Sequence, residues 1–140
     1  MLNSIKKYLK KAKEEATREY PSETVSNESY EIDKTKPWTG VDLDGTLAYY
    51  ERSSSSDVIG EPVPAMMAFV KKMIKHGTRV KIFTARVHDP EQLPIITEWL
   101  KENGLPELEI TNVKDYYMHR IYDDRCIQVE KNTGRLIIDD

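Results

Sequence analysis

The sequence predicts an α/β fold, an open and mostly parallel Rossmann-like sheet with helices on both faces. Two observations carry this. After residue 37 the apolar segments alternate between strand and helix character, which implies crossovers over a parallel sheet. Each polar cluster also falls where a predicted strand ends: Asp42 with Asp44, Thr84 with Arg86, Asp123 with Asp124. Open α/β sheets gather their functional groups at that edge.

The elements follow in order. Leu2, Ile5, Tyr8, Leu9, Ala12 and Ala16 recur at helical spacing, so the chain opens with an amphipathic helix that stops at Tyr20-Pro21. Residues 21–37 have turn formers and no apolar period, and read as a linker. The expected organisation is an N-terminal helix over 1–20, a linker over 21–37 and one α/β domain over 38–140. Trp38–Leu43 reads as a short buried strand. Pro64–His76 reads as a helix, with Pro64 in its first turn, Met67, Val70, Met73 and Ile74 on one face, and Gly77 as its stop. Arg79–Phe83 has the β-branched and aromatic content of a core strand. Asp89-Pro90-Glu91 caps a second helix running to Asn103 and closed by Gly104. Leu108–Thr111 and Arg120–Asp123 are the third and fourth strands. Asn132-Thr133-Gly134 suits a hairpin turn between Ile127–Val129 and Arg135–Ile138.

Bulk properties narrow the function. A chain of 140 residues supports one core rather than two. No apolar run approaches the roughly 18–20 residues that cross a bilayer, and Met1–Lys13 lacks the continuous apolar stretch of a secretory signal. The single cysteine, Cys126, allows neither an internal disulfide nor a cysteine-based zinc site, and fits a reducing, cytoplasmic compartment. Residues 1–20 hold six basic and three acidic side chains, leaving 15 basic and 21 acidic in the rest. An acidic body of that kind is unlike a general nucleic-acid binder. The basic helix reads as a solvated face, or as a surface for self-association or for a partner. His76, His88 and His119 lack ligand spacing, Trp38 and Trp99 read as core anchors, Met66-Met67 as helix packing, and Ser53–Ser56 as a polar loop beside the site.

The chemistry concentrates in four clusters. In VDLDGTLA (residues 41–48) Asp42 and Asp44 leave a strand and share one side, since alternate residues do. Gly45 permits a tight exit and lets backbone N–H groups, with Thr46 beside them, approach an anion. Carboxylates so close repel unless a cation sits between them, and a hard divalent ion such as Mg²⁺ meets that need. An isolated D-x-D also occurs in calcium loops and capping turns. In IFTAR (82–86), Thr84 can donate to a phosphate oxygen and Arg86 can pair with one, although a threonine there is also a common helix cap. Lys114, ahead of the last strand, offers an ammonium to neutralise phosphate charge. In IYDDR (121–125), Asp123 and Asp124 need a metal or a basic partner if buried.

Asp42-Leu43-Asp44-Gly45-Thr46, Thr84, Lys114 and Asp123-Asp124, in this order, resemble the four motifs of the haloacid dehalogenase (HAD) superfamily of phosphohydrolases. The resemblance covers roughly residues 38–130. It implies that Asp42 attacks phosphorus to form an aspartyl-phosphate and that Asp44 is the general acid and base. It further implies that Thr84 and Lys114 hold the phosphate, and that Asp42, Asp44 (through its carbonyl), Asp123 and Asp124 serve a magnesium ion. The short gap between Lys114 and Asp123 leaves Arg86 or Arg125 as alternatives for the basic position. Neither 47–63 nor 87–112 has room for a cap domain, which implies a capless member with an open site. The expected substrate is a phosphorylated small molecule. A nucleic-acid 3′ end is the alternative, because DLDGTLA with IYDDRCIQV is similar to the phosphatase half of phage-type polynucleotide kinase/phosphatases, although no kinase loop is present. A non-catalytic phosphate-binding module of the same fold is the remaining reading.

Overall fold

The computed structural model describes residues 2–20, 23–51 and 57–138; the polar loop expected at Ser53–Ser56 lies outside them. Helix α1 (Leu2–Thr17) is followed by β1 (Trp38–Val41), α2 (Pro64–Lys75), β2 (Arg79–Phe83), α3 (Gln92–Glu102), β3 (Glu109–Thr111) and β4 (Met118–Tyr122), then by β5 (Gln128–Val129) and β6 (Leu136–Ile137). These segments form two units, one of Pro21–Asp124 and one of Met1–Tyr20 with Arg125–Asp140. No helix among the described residues is long and apolar enough to cross a membrane.

The α/β unit is a four-stranded, all-parallel sheet in the order β3-β2-β1-β4. Its register aligns Tyr122, Val41, Ile82 and Ile110 in one row. That row belongs to the same apolar cluster as Met67, Val70 and Ile74 of α2 and Ile96, Trp99 and Leu100 of α3. Both crossover helices therefore cover one face, where the sequence suggested helices on both. The reason is topological. From β1 to β2 to β3 the chain steps in one direction across the sheet, and right-handed crossovers stepping the same way land on the same side. The connection that reverses direction, residues 112–117, contains no helix.

The opposite face is built differently. Trp38 is fully buried there, beside Phe83 at 6.3 Å between ring centroids. Gly40 makes this packing fit, since a Cβ at that position would lie 3.1 Å from the Trp38 ring and 3.2 Å from Phe83. The Trp38 indole N–H donates to Asp115 at 2.8 Å, and the Lys81 ammonium sits 4.6 Å from its ring centroid. Arg79 is buried but satisfied: it forks onto Glu109 at 2.9 and 2.8 Å and donates to the carbonyls of Lys34 and Lys36.

Residues 23–37, read as a linker, pack against the α/β unit. Val25 is buried in the core cluster and its N–H donates to the Gly104 carbonyl at 2.8 Å. Tyr30 packs on the same cluster and accepts from the Val80 N–H at 3.2 Å. Two isolated anchors leave no periodicity, so the sequence pattern could not reveal them. In the other unit, α1 exposes Ile5, Tyr8 and Leu9. The β5–β6 pair is the expected antiparallel hairpin, turning through Asn132 (φ 65°) and Gly134 (φ 76°).

Burial separates these two regions energetically. Val25→Ala removes two buried carbons and is expected to cost about 2 kcal/mol, whereas Ile5→Ala on the exposed helix should stay within about 0.5 kcal/mol. Urea unfolding of both variants checks the contrast, and equal effects would refute the anchoring role of residues 23–37.

Candidate functional site

Because the sheet is parallel, all four strands end at one edge, and the polar clusters meet there. Asp42 follows β1 directly, and its N–H donates to the carbonyl of Tyr122, the last residue of β4, at 2.9 Å. That bond brings Asp42 beside Asp123. Carboxylate oxygens of Asp42, Asp123 and Asp124 all lie within 4.8 Å of one another. Asp42 and Asp123 are half-buried, and Asp124 is exposed.

The turn after β1 is shaped around this cluster. Residues 43–48 fold back on the Leu43 carbonyl, which accepts from the N–H groups of Thr46, Leu47 and Ala48. Gly45 has φ +88°, and a Cβ there would come within 2.6 Å of the Asp124 carboxylate. Any side chain would therefore displace Asp124. Thr46 Oγ1 donates to Asp124 Oδ1 at 3.0 Å and accepts from the Asp124 N–H at 3.0 Å. The backbone N–H groups of Gly45 and Thr46 are taken up within the turn, so the expected cradle for an anion is not formed by them here. Thr46 instead fixes the position of Asp124.

Asp44 is oriented differently. Both of its oxygens are held by Arg86, from Nε at 2.6 Å and Nη2 at 2.8 Å, and its side chain is not among the converging carboxylates. Arg86, expected to bind phosphate, thus binds Asp44. Its remaining described contacts run to Gln92 Oε1 at 3.0 Å and the Val58 carbonyl at 3.1 Å. Thr84 is buried and its hydroxyl accepts from the Arg86 N–H at 3.2 Å, capping the short 3₁₀ turn Ala85–His88. That oxygen keeps its own proton to donate. Val58 also lines a concavity of about 500 Å³ with Asp57, Ile95, Glu98 and Trp99.

Lys114 lies three residues beyond β3, is exposed, and forms no ion pair with the acidic cluster among the described residues. Gln92 went unnoticed in the sequence, and its only sign there was a polar residue at a helix start, a common surface feature.

Crowding of like charges has a clear consequence. Burial, then the charge of Asp123, then contact with Asp124 push the Asp42 carboxyl up to about 7. Such a cluster fits a hard divalent cation, because three carboxylate oxygens are the donor type that Mg²⁺ prefers. Comparison with protein-family models, with curated proteins and with solved structures gave no match.

The sign of the Asp42 shift sets a pH dependence. Folded Asp42 holds its proton up to about pH 7, whereas an unfolded aspartate releases it near about pH 3.9. The native state therefore binds more protons across that window, and metal-free stability should fall as pH rises through it. Melting in EDTA is expected to show this fall, Asp42→Asn to flatten it, and Mg²⁺ to offset it at the upper end. A wild-type profile no steeper than that of Asp42→Asn would contradict the shift.

Proposed function

We propose that the chain is a magnesium-dependent phosphomonoester hydrolase that works through an aspartyl-phosphate on Asp42. One observation carries the reading: four aspartates meet at one sheet edge in two separate groups. Carboxylate oxygens of Asp42, Asp123 and Asp124 converge within 4.8 Å, close enough to share a cation, while Arg86 holds the Asp44 side chain apart from them. That is the division that nucleophilic attack at phosphorus with separate proton transfer requires. The resemblance of Asp42–Thr46, Thr84, Lys114 and Asp123-Asp124 to the HAD motifs supports it.

In the proposed reaction an Asp42 oxygen bonds to phosphorus as the bond to the leaving oxygen breaks, and Asp44 gives that oxygen a proton. Asp44 then takes a proton from water, whose oxygen attacks phosphorus and frees the Asp42 carboxylate. Because Arg86 engages both Asp44 oxygens, the fork must loosen as Asp44 receives or gives its proton. Asp42, Asp123 and Asp124 would hold Mg²⁺, which supplies neutralisation of phosphate and carboxylate charge. Thr84 and Lys114 supply donors to the phosphate oxygens from the ends of β2 and β3.

The second turn half, residues 47–49, pairs with 61–63 through the Tyr49–Glu61 and Val63–Leu47 hydrogen bonds, both 2.8 Å, and α3 occupies 92–102. Among the described residues neither stretch, 47–63 or 87–112, holds a separate domain, which supports a capless reading in which the leaving group is selected by residues near Val58 and Arg86. An open site admits sugar phosphates, nucleotides and 3′-phosphorylated oligonucleotides alike.

Phosphate release from such a panel, with Mg²⁺ and with EDTA, tests the function. Turnover should require the metal and fall by roughly 10⁴-fold or more in Asp42→Asn, as expected when a nucleophile is removed. Turnover that survives either change would sink the mechanism. No turnover on any substrate would favour a phosphate-binding module.

A further inference from the structure

Arg86 has five N–H donors in a rigid planar fork, and the described contacts aim them in three directions. Two oxygens of Asp44, the Val58 carbonyl and Gln92 Oε1 accept at 2.6, 2.8, 3.1 and 3.0 Å. The backbone of Arg86 is fixed as well, through its N–H on Thr84 Oγ1 at 3.2 Å. Gln92 is only 4% exposed and opens α3. A buried amide costs desolvation that an aliphatic residue of similar volume avoids. Here its oxygen faces the arginine that grips Asp44.

We propose that Gln92 is a positioning residue for the acid–base carboxylate: by holding the Arg86 guanidinium from behind, it keeps Asp44 away from Asp42, Asp123 and Asp124 and in the place from which it transfers its proton when the fork loosens. The role given to Asp44 rests on the phosphatase reading, whereas the Gln92–Arg86–Asp44 chain of contacts is a matter of geometry. Without the Gln92 oxygen, the guanidinium loses its described tie to α3. The guanidinium plane is then less constrained, and Asp44 is freer to swing toward Asp42, Asp123 and Asp124. Gln92 touches no substrate in this scheme, so its loss should slow the chemical step and spare binding.

The test uses the full chain and pairs kinetics with ¹⁵N NMR of arginine side chains, the Arg86 signals being identified by their absence in Arg86→Lys. In the wild type, rotation of the Arg86 guanidinium should be blocked and its Nε–H protected from exchange. Gln92→Leu is expected to release that rotation and to lower kcat about tenfold with KM within about twofold, the size that one lost buried hydrogen bond implies. Gln92→Glu, which retains an acceptor oxygen, should restore both the protection and most of kcat. Unchanged kcat and unchanged Arg86 signals in Gln92→Leu would overturn the proposal. So would a freely rotating Arg86 guanidinium in the wild type, a result that needs no folded variant. A blocked fork released by Gln92→Leu in a protein that hydrolyses no phosphomonoester would overturn the reading of the reaction instead.

Discussion

The polar edge depends on the pairing of β1 with β4. Their register places Val41 beside Tyr122, and the Asp42 N–H on the Tyr122 carbonyl carries it one residue further. Once that is set, Asp42 and Asp123 are neighbours whatever their charges prefer. The cost appears as the raised Asp42 pKa. Folding energy from the row Tyr122–Val41–Ile82–Ile110, packed under two helices, maintains a cluster that electrostatics alone would disperse. A strained acidic cluster held by a rigid scaffold is the usual physical basis of a cation site, since the ion relieves what the scaffold imposes.

Arg86 resolves the second half of the problem. In the proposed reaction a cation that drew in all four nearby aspartates would leave none to move protons. The bidentate fork, donated from just after β2, gives Asp44 a partner of its own. The connections of Arg86 to Gln92 and to Val58 tie this assignment to α3 and to the segment returning from the loop after β1. In the proposed reaction this links proton transfer by Asp44 to the segment around Val58.

Much of this was legible in the sequence. β2 was read with its observed bounds, and α2 and the hairpin to within a residue or two, because proline, glycine and apolar periodicity mark their ends. The grouping of Asp42 with Asp123 and Asp124 followed from placing strand ends at one edge. What was hidden depended on direction and on single contacts. Helices on both faces looked natural until strand order showed that both crossovers step the same way. Val25 and Tyr30 anchor residues 23–37 without a pattern. Arg86 read as a phosphate ligand, and sequence could not show its fork on Asp44; Gln92 had no motif at all. Lys114 stands exposed ahead of β4.

The central claim is that Asp42 carries the phosphoryl group. Asp44→Asn cannot activate water, yet an aryl leaving group departs with little need for its proton, so the intermediate should accumulate. Acid-quenched mass spectrometry of that variant, mixed with an aryl phosphate and Mg²⁺, is expected to find one phosphoryl group on the peptide containing Asp42, and none when Asp42→Asn is added. Phosphate release by the wild type with no label on Asp42 in the variant, or a label on another residue, would contradict the claim.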